Sequence, residues 1–332
     1  MGRAVCTDDQ FIDVWTRHQS ATGVAAELGI HVRNVRDRRN RVEARYGILL
    51  PTTTDHVNRL RPQDRHGIGM CINEARQFIN VDMHDGVMVV GSDCHYSPGV
   101  YPTAHAGMLW AIEALKPQAI VLNGDIFDGQ TAGRWARIGW SEQFTAAQEL
   151  EAVQDRLTEL EKAAPPGCRL LRTIGNHDLR FDSMLSANAG TFEGIAGFRL
   201  RDHLPLWHEA WRIQVNHDTI ILHDWHSGIH SAHNDVVKGG GFHVVTGHTH
   251  ELTVKTHKGF GDPHYGVKTG MVAEEDQRQF DYRGGKPGMN WTSGFVVLTW
   301  RDGMLLYPEV ANVRDGVCWF RGEPITVMED AA

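Results

Sequence analysis

From about residue 75 onward, short apolar runs alternate with longer amphipathic segments. Five runs have the length and β-branched content of buried strands: GVMVVGS, QAIVLNGD, RLLRTIGN, DTIILHD and FHVVTGH. Two intervening segments have helical periodicity, TAHAGMLWAIEAL and EQFTAAQELEAVQDRLTELEKA, and Pro165-Pro166-Gly167 marks the end of the second. This alternation predicts an α/β fold with a mostly parallel sheet.

The two flanks of this region predict antiparallel pairing. The segments ARQFINVDM and GVMVVGS lie on either side of HDG, which predicts a hairpin turn. Towards the C-terminus, three runs have the pattern of antiparallel strands: YGVKTG, GFVVLTW and GMLLYPEV.

Residues 11–46 have a purely helical pattern. Their apolar positions predict three helices, within FIDVWTRH, GVAAELGI and HVRNVRDRRNRVEARYG. Residues 51–66 are polar and predict a linker. We therefore expect a small helical domain over residues 1–50, a linker over 51–74 and an α/β domain over 75–325.

Charge separates the same two parts of the chain. The 332 residues have a net charge of −8 and include 20 histidines. Residues 1–66 carry 11 Lys and Arg against 8 Asp and Glu, so the remainder carries −11. This asymmetry indicates two parts with different tasks. Five cysteines form no C-x-x-C pair, and no segment has the apolar length of a membrane span. We expect a cytoplasmic protein without a membrane partner.

Polar residues of one chemical kind follow the five strands. At a single strand end such a residue is more often a cap or a surface group, but here the pattern recurs at every strand. The candidates are Asp93, His95, Asp125, Asn176, His223, His248 and His250. Because the carboxyl ends of parallel strands meet at one edge of a sheet, we expect these side chains to converge. Carboxylates, an amide oxygen and imidazoles suit divalent transition metals, and seven ligands suffice for two ions that share a carboxylate.

The same residues form five ordered motifs: DCH, GDIFD, GNHD, LHD and GHTH. In type and order they resemble the motifs of the calcineurin-like metallophosphoesterases, over roughly residues 85–310. The resemblance implies a four-layer sandwich of two mixed β-sheets flanked by helices, and hydrolysis of phosphoesters at a dinuclear metal centre. One position departs from the family pattern, because Asp224 follows His223 where glycine is common. His226 is therefore an alternative ligand to His223.

The resemblance also implies a role for each motif residue. One metal ion would be held by Asp93, His95 and His250, and the other by Asn176, His223 and His248. Asp125 would bridge them. His177 would stabilise charge near the scissile phosphate or protonate the leaving oxygen, Asp178 would orient His177, and Asp128 would support the ligands. Asp128 and Asp178 have an alternative interpretation as helix N-caps. The oxygen-rich set favours manganese, with iron, zinc and magnesium as alternatives.

The N-terminal helices resemble a helix-turn-helix unit. Gly29 fits the turn, and Ala25, Leu28, Ile30 and Val35 fit the packing positions. The third helix would then be the recognition helix, with candidate nucleic-acid contacts at Arg33, Arg36, Arg38, Arg39 and Arg41. A three-helix protein-interaction module with solvated arginines is the alternative. The whole arrangement is similar to phage and prophage phosphoesterases with such a module.

These features predict a metal-dependent phosphoester hydrolase that acts on nucleic acid, with DNA favoured, as a nuclease or phosphodiesterase. Within enzymes, the alternative is a phosphomonoesterase or cyclic-nucleotide phosphodiesterase that acts on small molecules. Outside enzymes, it is a DNA-binding regulator with a vestigial metal domain, against which the complete ligand set argues. The sequence leaves the oligomeric state open.

Overall fold

The computed structural model describes residues 6–18, 20–46, 50, 69–73, 77–133, 143–283, 286 and 290–325. The chain divides into two compact units, residues 1–61 and residues 62–332. Most of the linker predicted over residues 51–74 lies outside the described residues. Its part Gly69–Asn73, however, is a strand that pairs within a sheet of the second unit. Met70 and Ile72 of this strand pack against the core, a pattern too short to stand out in the sequence.

The described residues of the first unit form three helices: α1 (Asp8–His18), α2 (Ala21–Leu28) and α3 (Val32–Tyr46). Ser20 begins α2 as an N-cap, because its hydroxyl accepts a hydrogen bond from the amide of Gly23 at 2.9 Å. Gly29 ends α2 with a φ of 63°, a left-handed conformation that glycine adopts without strain. The three helices bury a common core that includes Phe11, Trp15, Val24, Val35 and Val42. The helices predicted from the sequence are present.

In the second unit, the described helices are α4 (Thr103–Leu115), α5 (Ala146–Ala163), α6 (Asp178–Ala189) and α7 (Ser231–Lys238). Short 3-10 helices lie at Gly190–Phe192, Leu200–His203 and Arg278–Arg283. Thr145 and Gln148 begin α5 with a reciprocal capping box. The predicted helices over 103–115 and around 146–163 are therefore present.

The strands of the second unit form two mixed sheets. They are β1 (Gly69–Asn73), β2 (Phe78–Asp82), β3 (Gly86–Gly91), β4 (Ala119–Asn123), β5 (Arg169–Thr173), β6 (His208–Ala210), β7 (Arg212–Val215), β8 (Thr219–Leu222), β9 (His243–Thr246), β10 (Leu252–His257), β11 (His264–Thr269), β12 (Gly294–Arg301), β13 (Met304–Leu305), β14 (Glu309–Arg314), β15 (Val317–Phe320) and β16 (Glu323–Pro324). One sheet has the order β1-β2-β7-β8-β9-β11-β10. The other has the order β16-β15-β14-β12-β3-β4-β5-β6, with β13 paired to β12.

The hairpin predicted at HDG is wrong. β2 pairs with β1 and β7, whereas β3 pairs with β4 and β12, so this turn carries the chain from one sheet to the other. Asn216 holds the crossing, because its side chain accepts from the amide of Met83 at 2.8 Å and donates to the carbonyl of Met83 at 2.9 Å. A hairpin and a crossing between two sheets both consist of two apolar runs on either side of a turn. The sequence pattern therefore does not distinguish one from the other.

Successive side chains of the central strands point to opposite faces of their sheet, so each strand packs against helices on one face and against the other sheet on the opposite face. In β3, Val89 packs with α4 and α5, whereas Met88 and Val90 pack with residues of the other sheet. In β11, Val267 faces the core between the sheets, and Gly266 lies directly against α7. The order helix–sheet–sheet–helix is the predicted α/β four-layer sandwich. Among the described residues, no helix combines the length and apolar content that a membrane span requires.

Candidate metal centre

The seven candidate ligands come from the ends of strands in both sheets. β3, β4 and β5 of one sheet lead into Asp93 and His95, into Asp125, and into Asn176. β8 and β9 of the other sheet lead into the three histidines His223, His248 and His250. The sequence predicted convergence at the edge of one sheet. The structure instead places the candidates where strand ends of two packed sheets face each other.

These side chains form two groups that meet near Asp125. Ligand atoms of Asp93, His95 and His250 all lie within 4.8 Å of one another, and so do those of Asp125, His223 and His248. The His223 Nε2 lies 3.1 Å from the Asp125 Oδ2 and 3.2 Å from the Asn176 Oδ1. Asp125 also groups with His95 and His177 within the same limit. The structure thus brings the seven candidates together in one cluster, which also includes His177.

Three buried side-chain atoms in the first group make no hydrogen bond: Asp93 Oδ1, which lies 3.3 Å from the Nε2 of His250 in an ion-pair contact, His95 Nε2 and His250 Nδ1. Buried polar atoms in proteins are nearly always paired, and an unpaired buried group carries a large desolvation cost. A carboxylate and two imidazoles, each of which offers a ligand atom within 4.8 Å of the others, suit a divalent cation. The residues present therefore fit a metal ion at this position.

The backbone at the candidate ligands is unusual. Asp93, His95, Asp125, His248 and His250 all have φ between 40° and 64°. Only a few per cent of non-glycine residues adopt such left-handed conformations, and they concentrate at functional sites, where the surrounding structure holds the strain. Five of the seven candidates share this feature, which marks the cluster as a functional site.

Two glycines of the motifs are required by close packing. A Cβ at Gly124, whose φ is 80°, would collide with the imidazole of His223, and one at Gly175 would collide with the carboxylate of Asp125. The ring of His223 is held by its hydrogen bond to the carbonyl of Asn123, and a Cβ at Gly175 would also collide with the backbone nitrogen of Asp125. The glycines in GDIFD and GNHD thus allow strand ends to approach closely enough for the ligands to meet.

Carboxylates and imidazoles in the cluster perturb each other strongly. Burial alone would raise the pKa of Asp93, but the adjacent imidazole of His250 lowers it to about 2. Burial alone would lower the pKa of His223, but the carboxylate of Asp125 raises it to about 10. Burial lowers the pKa of His250, so it is the raised pKa of His223 that holds a proton beside a carboxylate, that of Asp125. Cation binding is expected to release that proton.

Asp128 contacts both the candidate ligand His95 and the neighbouring histidine His177. One oxygen, Oδ1, lies 2.9 Å from the Nδ1 of His95 and 2.8 Å from the Nδ1 of His177. Burial would raise the pKa of Asp128, but hydrogen bonds from His177 and His95 hold it far below its usual range. An ionised carboxylate only accepts, so both Nδ1 atoms carry protons. The contact fixes both rings, with the Nε2 of His95 free of hydrogen bonds and the Nε2 of His177 2.9 Å from the guanidinium of Arg180.

Asp178 has a different role from the one predicted. Its carboxylate accepts hydrogen bonds from the amides of Asp125, Ile126, Phe127 and Gly175 at 3.0–3.2 Å. It also lies 3.7 Å from the buried guanidinium of Arg172. The expectation that Asp178 orients His177 is therefore wrong. Asp128 makes that contact, and Asp178 instead holds the backbone amides at and after Asp125. The GNHD pattern carries no signal that separates these roles.

Asp178→Ala is expected to lower the free energy of unfolding by about 3–5 kcal/mol, because it leaves several buried backbone amides without an acceptor and removes one of the two carboxylates beside Arg172, the other being Glu209. Urea unfolding measures the change. Asp182→Ala, in the same helix, is the control. Among the described backbone groups, only the amide of Leu200 donates a hydrogen bond to the Asp182 carboxylate. A loss below about 1 kcal/mol for Asp178→Ala would contradict the anchoring role.

His223 lies in the cluster, and His226 lies outside it. The Nδ1 of His223 donates to the carbonyl of Asn123 at 2.7 Å, which directs Nε2 towards Asp125. The Nδ1 of His226 lies 2.7 Å from Asp235, which also pairs with the buried Lys268 at 3.0 Å. His226 therefore belongs to a separate ion-pair network, and the geometry favours His223 as the ligand.

Single substitutions separate these two histidines. His223→Ala is expected to bind about one metal equivalent instead of two. The Nε2 of His223 lies beside the side-chain oxygens of Asp125 and Asn176, so the substitution removes one of three neighbouring ligand atoms. His226→Ala is expected to keep both. Metal analysis after gel filtration measures the content. A metal-depleted His226→Ala protein beside an unaffected His223→Ala protein would reverse the assignment.

Several residues at the centre carried no sequence signal. Gln279 donates to the carbonyl of His95 at 2.5 Å, and the rings of Phe280 and Trp291 pack against His95 and His250 at 5.3 and 4.2 Å respectively. Glu149 of α5 accepts from the amides that follow Asp128, and burial raises its pKa to about 7. Helical periodicity alone does not distinguish this glutamate from a solvated one.

The arginines proposed for nucleic acid divide into two sets. The Nη2 of Arg38 donates to Asp8 at 3.1 Å and to the carbonyl of Cys6 at 2.6 Å, and Arg39 pairs with Glu43 at 2.9 Å. Each also covers an aromatic ring of α1. These two fold back onto the helical unit, contrary to their predicted outward role. The exposed members are Arg33, Arg36 and Arg41.

Comparison with known proteins yields distant structural similarity only. No protein-family model matches the chain, and no curated protein does. Similar solved structures include Vps29 from Entamoeba histolytica complexed with Zn²⁺ (15% identity, 72% of this chain and 98% of that chain, TM-score 0.38). Others are Vacuolar Protein Sorting 29 from Cryptosporidium parvum (13%, 73% and 99%, 0.39) and nuclease MPE from Pseudomonas putida (14%, 75% and 98%, 0.27). At this level the similarities assign no activity to the chain.

Proposed function

We propose that the chain hydrolyses phosphoesters at a dinuclear metal centre. The observation that carries the proposal is the pair of ligand groups around Asp125, one of which contains three buried donor atoms without hydrogen bonds. Asp93, His95 and His250 would hold one cation. Asn176, His223 and His248 would hold the other, with Asp125 between them. The ordered motifs that resemble those of calcineurin-like metallophosphoesterases support the same assignment.

Two divalent cations, when bound, supply Lewis acidity towards a phosphoryl group and lower the pKa of a coordinated water. The chain's own contribution is to place donors and a proton carrier. Asp128 and the carbonyl of the same residue hold the Nδ1 of His177, at 2.8 and 3.1 Å. One proton therefore sits on Nδ1, and Nε2 is the ring atom that would face the leaving oxygen; it would protonate that oxygen only when the ring carries a second proton, on Nε2.

We propose nucleic acid as the substrate class, with DNA favoured and manganese as the metal. The first unit supports this through exposed arginines on α3, on a chain whose other part is acidic. A tethered basic surface raises the local concentration of a polyanion near an acidic catalytic unit. Arg33, Arg36 and Arg41 carry this role, and a phage-type phosphoesterase with a DNA-binding module is the corresponding biological class.

Replacing Arg33 and Arg36 together by alanine is expected to weaken DNA binding and to reduce the slope of log affinity against log salt by about two. Fluorescence anisotropy over a salt series measures both. Arg38→Ala is the comparison, because its side chain pairs with Asp8 inside the unit and its loss should lower thermal stability instead. Equal affinity and slope in the double variant would contradict a DNA-binding α3.

A substrate panel tests the activity itself. Chelated protein is refilled with manganese, iron, zinc or magnesium and offered linear and circular DNA, RNA, cyclic nucleotides and p-nitrophenyl mono- and diesters. Metal-restored cleavage of a nucleic acid is the expected result. Turnover confined to cyclic nucleotides or monoesters would support the small-molecule alternative, and DNA binding without any turnover would support the regulator.

A further inference from the structure

Arg180, in the first turn of α6, reaches the atom that would act on the leaving group. Its Nη2 lies 2.9 Å from the Nε2 of His177, and its Nη1 donates to the carbonyl of Asp128 at 2.9 Å. The side chain is half-buried. The guanidinium is thus held beside the candidate metal centre by His177 and Asp128, both of which have roles in the proposed mechanism.

A neighbouring glycine makes room for this side chain. Gly129 has a φ of 64°, and a Cβ there would lie 3.0 Å from the Cβ of Arg180 and 3.3 Å from its Cδ. The stem of Arg180 therefore lies directly on the loop that follows Asp128. Packing along the stem and a hydrogen bond at its head restrict the guanidinium to one position, which lowers the entropy that ligand binding would cost.

The contact with His177 identifies what the guanidinium can bind. Arginine has five N–H donors and no acceptor, so the Nε2 of His177 accepts from it with a lone pair. A phosphoryl oxygen carries negative charge and is a stronger acceptor than a neutral imidazole. Such an oxygen arriving at Nε2 would meet the Arg180 donor at the same place. The acidic side chains Asp93, Asp125 and Asp128 make a fixed positive charge useful there.

We propose that Arg180 is a further catalytic residue, which donates hydrogen bonds to a non-bridging oxygen of the substrate's phosphoryl group. This inference rests on the proposed phosphoester hydrolysis and specifies how the anion is held. Planar guanidinium donors match phosphate geometry, and the N-terminus of α6 adds a favourable dipole on the same side. A purely structural Arg180, which only clamps the carbonyl of Asp128, is the competing role.

The test compares Arg180→Ala and Arg180→Lys with Arg199→Ala, which removes an exposed arginine that pairs with Glu193. Two quantities are measured on manganese-loaded protein: kcat/KM for bis(p-nitrophenyl) phosphate, and the affinity for orthophosphate by titration calorimetry. Metal content is determined for every variant. Guanidinium chloride at non-denaturing concentration is then added to Arg180→Ala. A free guanidinium ion can replace the hydrogen bond from Arg180 to the phosphoryl oxygen, but it cannot restore a loop that Arg180 holds in place through the carbonyl of Asp128.

The expected result for Arg180→Ala is a fall in kcat/KM of about 10- to 100-fold and a comparable loss of orthophosphate affinity, as for a missing charge-assisted hydrogen bond. Metal content should stay unchanged, guanidinium should restore part of the rate, and Arg199→Ala should behave as wild type. Orthophosphate affinity within twofold of wild type, or a loss that follows metal loss, would overturn the proposal. A wild-type protein without turnover would defeat the proposed function instead, and the calorimetry would still decide the role of Arg180.

Discussion

Asp125→Asn is expected to lower metal-dependent phosphoester hydrolysis by about a thousandfold or more, equivalent to about 4 kcal/mol of activation free energy. Asp125 groups with His223 and His248 on one side and with His95 and His177 on the other. Asparagine keeps an oxygen that can accept the His177 amide, which Asp125 binds at 2.7 Å. The substitution therefore removes the charge shared by both cation positions while it preserves the local fold.

Three measurements define the outcome for Asp125→Asn. Activity and metal content are expected to fall together, while the circular dichroism spectrum stays that of wild type. Asp315→Asn is the control, because Asp315 is a surface carboxylate that is 93% exposed and belongs to none of the candidate metal-binding groups among the described residues. An active Asp125→Asn protein with unchanged metal content would exclude a bridging role for this residue.

His177→Ala is expected to lower kcat by about 10²- to 10⁴-fold with both metal equivalents retained, the range for loss of a general acid or base. The reason is the position of its ring. Asp128 holds Nδ1, and Nε2 faces Arg180 rather than a second ligand of the cluster. Rate and metal content should therefore separate in this variant.

His248→Ala provides the opposite pattern for comparison. Its ring lies 5.4 Å from that of His223, and its loss is expected to reduce metal content as well as rate. Because His177 also groups with His95 and Asp125 within 4.8 Å, a ligand role for His177 is a real competitor. Metal loss in His177→Ala, equal to that in His248→Ala, would establish that role and contradict the assignment made here.

Much of the candidate site could be predicted because its chemistry is local in sequence. Each ligand follows an apolar strand within a few residues, so strand pattern and residue type together located Asp93, Asp125 and His248. What pattern could not supply was which sheet each strand joins. β2 and β3 show this, because backbone pairing with partners distant in sequence, and not the intervening turn, decides their sheets.

The roles of individual polar residues were harder to predict than their positions. Asp128 and Asp178 look equivalent in sequence, yet one bonds two imidazoles and the other bonds backbone amides. Arg38 and Arg33 lie on the same helix, yet only Arg38 turns inward to Asp8. Such differences depend on side-chain direction and on partners brought by tertiary packing. Arg180 escaped notice for the same reason.

Metal stoichiometry tests the central claim most directly. The full-length protein is stripped with a chelator, incubated with manganese, separated from free ions by gel filtration and analysed for metal by mass spectrometry, alongside hydrolysis of bis(p-nitrophenyl) phosphate. A dinuclear phosphoesterase centre predicts two metal equivalents per chain and activity that returns with them. A chain that binds fewer than one equivalent of any metal of the panel, or that hydrolyses equally well without metal, would contradict it.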